Sequence, residues 1–393
     1  MFDGLEMGIF PLIARPALQE MQAASGTVSE AFVGHWMGFI TALFLVGAAL
    51  GGLVFGWLGD KLGRVRTMSM AILVYSLFTA LAYFAQTPLQ LGALRFLAAL
   101  GMGGEWSLGV ALVVELWPEK YRPMLSGIIG AAANVGFVLI GIVGAGFAIT
   151  PATWRYIVLI GALPALLTFF IQWFVPESHR WEQAASSGRL RPLREIIDGG
   201  HLKTLFVAAA LGGVALVGSW GSVQWLPLWA DKLAGAANPD AKAYTQILNG
   251  LGSVAGCLLG AWLGQRIGRR SAYFALCAGS FLVCQGMFRG LHSYGGAFLT
   301  LSFISGLITA AFYGWLPLYL PELFPTRVRA TGQGIAFNLG RILAAIGAVQ
   351  MGTLMGVFDG SYPRAGAVIT FVYLAGLALI WFVPETKGKP LPP

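Results

Sequence analysis

Between Val46 and Arg66 the chain reads VGAALGGLVFGWLGDKLGRVR, an apolar stretch punctuated by Gly47, Gly51, Gly52, Gly56 and Gly59 and closed by Asp60, Lys61, Gly63, Arg64 and Arg66. A hydrocarbon-soluble helix here meets water within about one turn, which marks a helix leaving a bilayer. The design returns later: WLGDKLGR at Trp57–Arg64 is answered by WLGQRIGR at Trp262–Arg269, an offset of 205, after Gly252, Gly256 and Gly260. Glu115-Leu116-Trp117-Pro118, with Arg122 and Gly127 beyond it, is matched by Glu322-Leu323-Phe324-Pro325, Arg329 and Gly334. Trp173-Phe174-Val175-Pro176-Glu177-Ser178 is matched by Trp381-Phe382-Val383-Pro384-Glu385-Thr386. The chain is therefore built twice, and internal duplication of membrane helices is the mark of proteins that open alternately to two sides.

Only 11% of the 393 residues are charged and 57% are hydrophobic, whereas about a quarter charged would be usual for a water-soluble surface. Most of the chain must face lipid. Apolar runs long enough for about 30 Å of hydrocarbon fall at 35–59, 67–86, 90–114, 124–148 and 156–175, then at 203–230, 243–264, 271–290, 296–320, 331–357 and 365–383. The first segment differs, because its uninterrupted apolar run, Met7–Ala14, reaches Arg15-Pro16 after only eight residues. It reads as the second half of a helix, so a twelve-helix design whose first helix is truncated is expected. The expected division is 1–175 for a first six-helix bundle, 176–202 for a linker, 203–383 for a second bundle and 384–393 for a tail.

The net charge of +8 does not point to nucleic acid, since no basic patch is interleaved with aromatic residues. Seventeen Lys and Arg residues lie in the even-numbered breaks and the tail, against Arg155, Lys232, Lys242 and Arg364 in the opposite breaks. The positive-inside rule then puts the even breaks and the C-terminus in the cytoplasm. Cys257, Cys277 and Cys284 lie in apolar runs without CxxC spacing, so neither a disulfide framework nor a metal site is indicated. The N-terminus lacks the basic start and small-residue cleavage site of a signal peptide. The four histidines form no metal-ligand pattern, and no Ser-His-Asp or HExxH arrangement is present, so no enzyme activity and no cofactor are expected.

These motifs resemble the major facilitator superfamily along essentially the whole chain. Gly56-x-x-x-Asp60-Lys61-x-Gly63-Arg64 resembles its signature between the second and third helices, and Arg95 begins its motif in the fourth. Pro176-Glu177-Ser178-His179-Arg180-Trp181 and Pro384-Glu385-Thr386-Lys387-Gly388-Lys389 resemble the borders of sugar porters. Asp3-Gly4-Leu5-Glu6, Arg95 through Gly103-Gly104-Glu105-Trp106, and Phe337-Asn338-Leu339-Gly340-Arg341 are similar to metabolite:proton, aromatic-acid and sialate symporters. The sequence departs from the pattern at Gln265, where a second signature would carry Asp, and at Ala99, where the motif has Gly. The resemblance implies an all-α membrane fold of two six-helix bundles related by a pseudo-twofold axis.

Ionisable groups inside a membrane are costly and therefore candidates for function. Asp3 and Glu6 share a helix face at spacing i, i+3 and, with Glu105 halfway along the fourth run, are candidates to carry a coupled proton; the alternatives are a frayed terminus and a structural ion pair. Arg341 offers bidentate donors to a carboxylate, with Asn338 one turn before it and Asn134 as its counterpart in the first half. Arg95, Trp225 and Tyr313 complete the substrate-binding candidates, within a wider set of Trp220, Trp229 and Trp315 that could stack on a ring. By analogy with the family, Asp60, Arg64, Glu115, Arg122, Glu322 and Arg329 would form salt bridges at an inner gate, where solubility of the loops is the plainer explanation. The expected function is a monomeric, multi-pass secondary transporter of the cytoplasmic membrane, moving a small organic solute, an anion, together with protons. The alternatives are a sugar or polyol facilitator or symporter and a non-transporting membrane nutrient sensor.

Overall fold

The computed structural model describes residues 1–23, 29–116, 122–175, 200–325 and 329–389. Among these residues the structure is helical, with no strand. In the first half the helices are α1 (Phe2–Ala23), α2 (Glu30–Leu62), α3 (Arg64–Leu81), α4 (Pro88–Leu116), α5 (Arg122–Gly146), α6 (Trp154–Ile160) and α7 (Pro164–Phe174). In the second half they are α8 (Leu202–Gly221), α9 (Leu226–Ala234), α10 (Ala241–Ile267), α11 (Arg269–Gly290), α12 (Gly296–Ala310), α13 (Phe312–Tyr319), α14 (Arg329–Val357), α15 (Tyr362–Ile369) and α16 (Val372–Leu379). Nine helical stretches among the described residues are long and apolar enough to cross a membrane.

Several expected spans are interrupted. Residues 156–175 divide into α6 and α7 at Gly161–Leu163, just before Pro164, which lacks the N–H a continuous helix would use. Residues 203–230 divide into α8 and α9 across a 3₁₀ turn at Val223–Trp225, ahead of Pro227. The first helix does the reverse: α1 continues through Pro11 and Pro16 to Ala23. The expected linker falls mostly outside the described residues.

The packing repeats as the sequence does. Within the first half α2 lies against α4 and α1 against α5; within the second, α10 lies against α12 and α8 against α14. The halves meet along two seams, α2 against α14 and α5 against α10. Small residues make the packing within each half close. A Cβ on Gly51 would stand 1.9 Å from the Leu100 carbonyl oxygen, and one on Gly260 would stand 1.9 Å from that of Ala311. Helices in lipid gain from such backbone proximity because burial of apolar surface alone cannot drive them together there.

The repeated Gly-Arg motif also has a physical cause. Gly63 (φ 101°, ψ 154°) and Gly268 (φ 97°, ψ 160°) each turn the chain from one long helix into the next, in a conformation that residues with a Cβ avoid. At the second turn the repeated motifs meet one another. The Arg269 guanidinium donates to Glu322 at 3.0 and 2.6 Å, and the Thr386 hydroxyl donates to the same carboxylate at 2.5 Å. Glu385 accepts the backbone N–H groups of Arg269 and Arg270, both at 3.0 Å, and so caps the start of α11. Partial burial works to raise the Glu385 carboxyl, but these N–H groups and those of Thr386 and Lys387 outweigh it and hold the group below the usual carboxylate range.

Candidate functional site

A cavity of about 490 Å³ lies between the halves. From the first half Asp3, Met7, Phe44, Asn134 and Phe137 line it; from the second come Ser219, Trp220, Gln224, Asn249, Tyr313, Phe337 and Arg341. It continues past Gln333 to Gln265, Arg269 and Glu322, so it runs from mid-depth toward the end that carries the Gly63 and Gly268 turns. We call this the basic end. A concave, mainly apolar space with a few converging polar groups is the usual form of a small-molecule site.

Arg341 projects from α14, where its Nη1 donates to the Asn338 side chain at 3.2 Å and, across the seam, to the Ala48 carbonyl at 3.3 Å. Its guanidinium stands 5.0 Å from the Phe337 ring centre. Asn338 is buried beside Gly52, so it positions Arg341 and does not line the cavity. Asn134 faces the cavity while donating to the Gly130 carbonyl at 3.0 Å and the Cys257 thiol at 3.4 Å. The Tyr313 and Ser219 hydroxyls lie 2.5 Å apart on the opposite wall. The Trp220 and Phe44 rings, one from each half, meet with centres 5.7 Å apart.

Trp225 is not on the wall. It is buried, its ring packed on Tyr362 and its indole N–H donating to the Trp220 carbonyl at 3.2 Å. Trp229 packs on Phe288 and Phe298, and Trp315 donates to the Arg269 carbonyl. Trp220 is the tryptophan that reaches the cavity. Ser219, Gln224 and Asn249 gave no sequence signal, since single polar residues in an apolar run are unremarkable until the fold brings them together.

The acidic candidates occupy three different settings. Asp3 lines the cavity, accepting the Gly4 N–H at 2.7 Å. Glu6 is fully buried: Arg95 of α4 pairs with its Oε1, and the Thr79 hydroxyl of α3 donates to the same oxygen at 3.0 Å. The other carboxylate oxygen of Glu6 and the Nε of Arg95 are enclosed without a hydrogen bond. Arg95 also stands over the rings of Phe10 and Phe44, at 5.2 and 4.7 Å. The structure thus brings Arg95 to Glu6, away from the main cavity. Yet a void of about 10 Å³ beside Arg95 shares Met7, Phe44, Trp220 and Gln224 with that cavity, so one layer of side chains separates the two. Glu105 of α4 lies in the first half beside the Tyr75 hydroxyl, away from the residues that line the cavity.

Of the gate candidates, Glu322 forms the pair with Arg269 inside the second half, at the cavity mouth, and Arg64 opens α3. The side chains of Asp60, Glu115, Arg122 and Arg329 lie outside the described residues. No cluster of metal-ligating side chains occurs among the described residues.

Comparison with known proteins agrees with this architecture. An inner membrane metabolite transport protein of Escherichia coli strain K12 is 31% identical, the match covering 90% of this chain and 84% of that protein. A cis,cis-muconate transport protein of Acinetobacter baylyi is 28% identical over 90% of this chain and 86% of its own. Among solved structures, the xylose transporter from Escherichia coli in a partially occluded inward-open conformation superimposes with a TM-score of 0.74 at 18% identity, covering 99% of this chain and 97% of that one. A family model described as the Major Facilitator Superfamily matches residues 4–348. With the duplicated bundles, the two seams and the cavity between them, these matches place the chain in the Major Facilitator Superfamily, a family of membrane transporters and not of enzymes.

Proposed function

We propose that this transporter takes up a small organic anion, a carboxylate, together with protons, and that Glu6 with Arg95 couples the proton to the solute. The observation that carries this reading is the buried Glu6–Arg95 pair with one carboxylate oxygen left without a partner, one side-chain layer behind the cavity wall. A carboxylate in such a place is stable when paired and stable when neutral, but not when charged and alone. Protonating Glu6 would release Arg95 from it and loosen the contact between α1 and α4. Deprotonation would restore that contact; the pair lies wholly in the first half, so the proton would act on the seam through Phe44, which stands under Arg95 and against Trp220 of the second half. Arg341, held by Asn338, would meet the solute's carboxylate, while Trp220, Phe44 and Tyr313 flank its body. The muconate carried by one relative is a carboxylate, which supports the assignment of substrate class.

The excess of basic residues at one end supports placing that end, the C-terminus and the mouth of the cavity in the cytoplasm. The proposed working unit is the monomer, since the cavity is complete within one chain.

The test is uptake into proteoliposomes with and without an imposed pH gradient, using a panel of monocarboxylates, dicarboxylates, sialic acid and pentoses. Uptake of a carboxylate that accumulates only with the gradient, and a Glu6→Gln variant that exchanges solute but does not accumulate it, are expected. Accumulation by Glu6→Gln equal to that of the unaltered protein would remove Glu6 from coupling. Pentose uptake indifferent to a protonophore would favour the facilitator instead.

A further inference from the structure

The small void beside Arg95 is walled by both halves: Arg95 and Thr41 come from the first, Trp220 and Gln224 from the second. Its volume is about 10 Å³, and a buried water needs about 10–15 Å³ with two to four polar partners. Such partners are in place. The Arg95 Nε is enclosed and meets no acceptor among the described residues. Met7 and Pro11 of α1 also line the void, and Pro11 carries no N–H, so the Met7 carbonyl four residues earlier lacks its usual helical donor. The Thr41 hydroxyl of α2 is buried with the Met37 sulfur, 3.9 Å away, as its partner, so its oxygen can still accept. Gln224, on the 3₁₀ turn between α8 and α9, lines the void and the main cavity alike, and its amide both donates and accepts.

One water serves these groups together. It would accept from the Arg95 Nε and donate to the Met7 carbonyl and to Thr41 or Gln224, within the four bonds a water can make. A guanidinium nitrogen buried without any acceptor is the costlier arrangement. The water also supplies a link that the ion pair lacks. Arg95 and Glu6 both belong to the first half, and the Phe44 and Trp220 rings that meet across the seam are apolar. A water between Arg95 and Gln224 is a polar bond between the halves, made only while Arg95 stays where Glu6 holds it.

We propose that this void holds one water molecule that joins Arg95 of the first half to Gln224 of the second. The test is thermal unfolding of the full-length protein in detergent, for Thr41→Val, Gln224→Leu and the double variant. Removing either polar side chain expels the water, so the second removal has less left to break. The midpoint shift of the double variant is therefore expected to fall short of the sum of the two single shifts. Thr41→Ser keeps the hydroxyl, and its shift is expected to add to that of Gln224→Leu. Additive shifts for Thr41→Val overturn the proposal, and so does equal non-additivity for Thr41→Ser, which would report direct packing between the two side chains. Should Gln224→Leu not fold, Gln224→Met, which keeps the length of the side chain, takes its place. The consequence for transport rests on the coupling assigned above to Glu6 and Arg95. Thr41 does not line the main cavity, so Thr41→Val is expected to lower accumulation under a pH gradient about two- to tenfold, as loss of one net hydrogen bond implies, while Thr41→Ser retains it. Full accumulation by Thr41→Val would cut the water out of coupling. Failure of the unaltered protein to accumulate any carboxylate would instead sink the coupling itself, and the unfolding shifts would still decide the water.

Discussion

A few side chains carry the chemistry of this molecule, and their surroundings say how each should respond to change. Arg95→Met would leave Glu6 charged and enclosed with only Thr79 to satisfy it, so a loss of about 3–5 kcal/mol is expected, read as a lower unfolding midpoint in detergent. Converting Glu6 to Met in the same molecule should recover most of that loss, since two apolar side chains can fill the site without a buried charge. Arg341→Lys keeps the charge but not the planar fork, so the apparent affinity for a carboxylate should fall about tenfold or more, a change of about 1.4 kcal/mol, while a neutral solute, if carried, should be unaffected. Glu385 is held below the usual carboxylate range, so its contribution to stability is present above the unfolded value and is lost as the pH falls through the folded one. On acidification below about pH 4, the unaltered protein should therefore lose stability more steeply than Glu385→Gln. At this scale the sequence was a partial guide. Asp3 and Arg341 could be read as candidates because a charge inside an apolar run is conspicuous, Asn134 as the counterpart of Arg341 in the repeat and Tyr313 as a ring that could stack, and all four line the cavity. Arg15, Glu30, Asp231 and Lys242, which the fold pairs with one another, could not be singled out, because they sit at the ends of spans, where charge is ordinary and only folding shows that they converge.

The helices were legible in the hydropathy of the chain and their interruptions were not, because a window of about twenty residues averages over a break of three. Pro164 and Pro227 mark those breaks once the structure shows that the helices stop before them. The glycine spacing that announced the duplication turns out to have two separate uses. Gly63 and Gly268 turn the chain, whereas Gly51, Gly252, Gly256 and Gly260 admit a neighbouring backbone. Glycines with no such neighbour provide the contrast. Gly51→Ala would push a methyl against the Leu100 carbonyl and should destabilise by about 1–3 kcal/mol. Gly286→Ala on α11, where nothing lies within 4 Å, should leave stability unchanged or raise it by up to about 1 kcal/mol. Thermal unfolding of the two variants side by side is the measurement.

The whole molecule consists of two bundles, each closely seated on many backbone-to-glycine contacts, joined by two seams where side chains such as Met355 against Gly34 and Val138 against Gly250 share the filling with the approaches of Gly38 to the Ala348 carbonyl and Gly352 to that of Gly34. The bundles should therefore move as bodies, with the change between states concentrated at α2–α14 and α5–α10. A solute held between them ties both together, so at a concentration one hundred times its dissociation constant it should stabilise the protein by about 2.7 kcal/mol. A thermal-shift panel of aromatic acids, dicarboxylates, sialic acid, sugars and betaines would show this as a raised midpoint, reduced in Arg341→Lys for carboxylates alone. The duplicated architecture was open to sequence reading because each motif appears twice at nearly constant offset. The side to which the cavity faces was not, since it depends on which end of the same helices happens to be joined. Arg15 with Asp231 and Lys242 with the Ile149 carbonyl tie the halves together at the end away from the Gly63 and Gly268 turns, at 2.7 and 2.6 Å, so the halves must part there before the site can empty to that side. Throughput then has a ceiling set by how often the bundles swing, and a steeper gradient can fill the waiting site sooner but cannot make it turn faster.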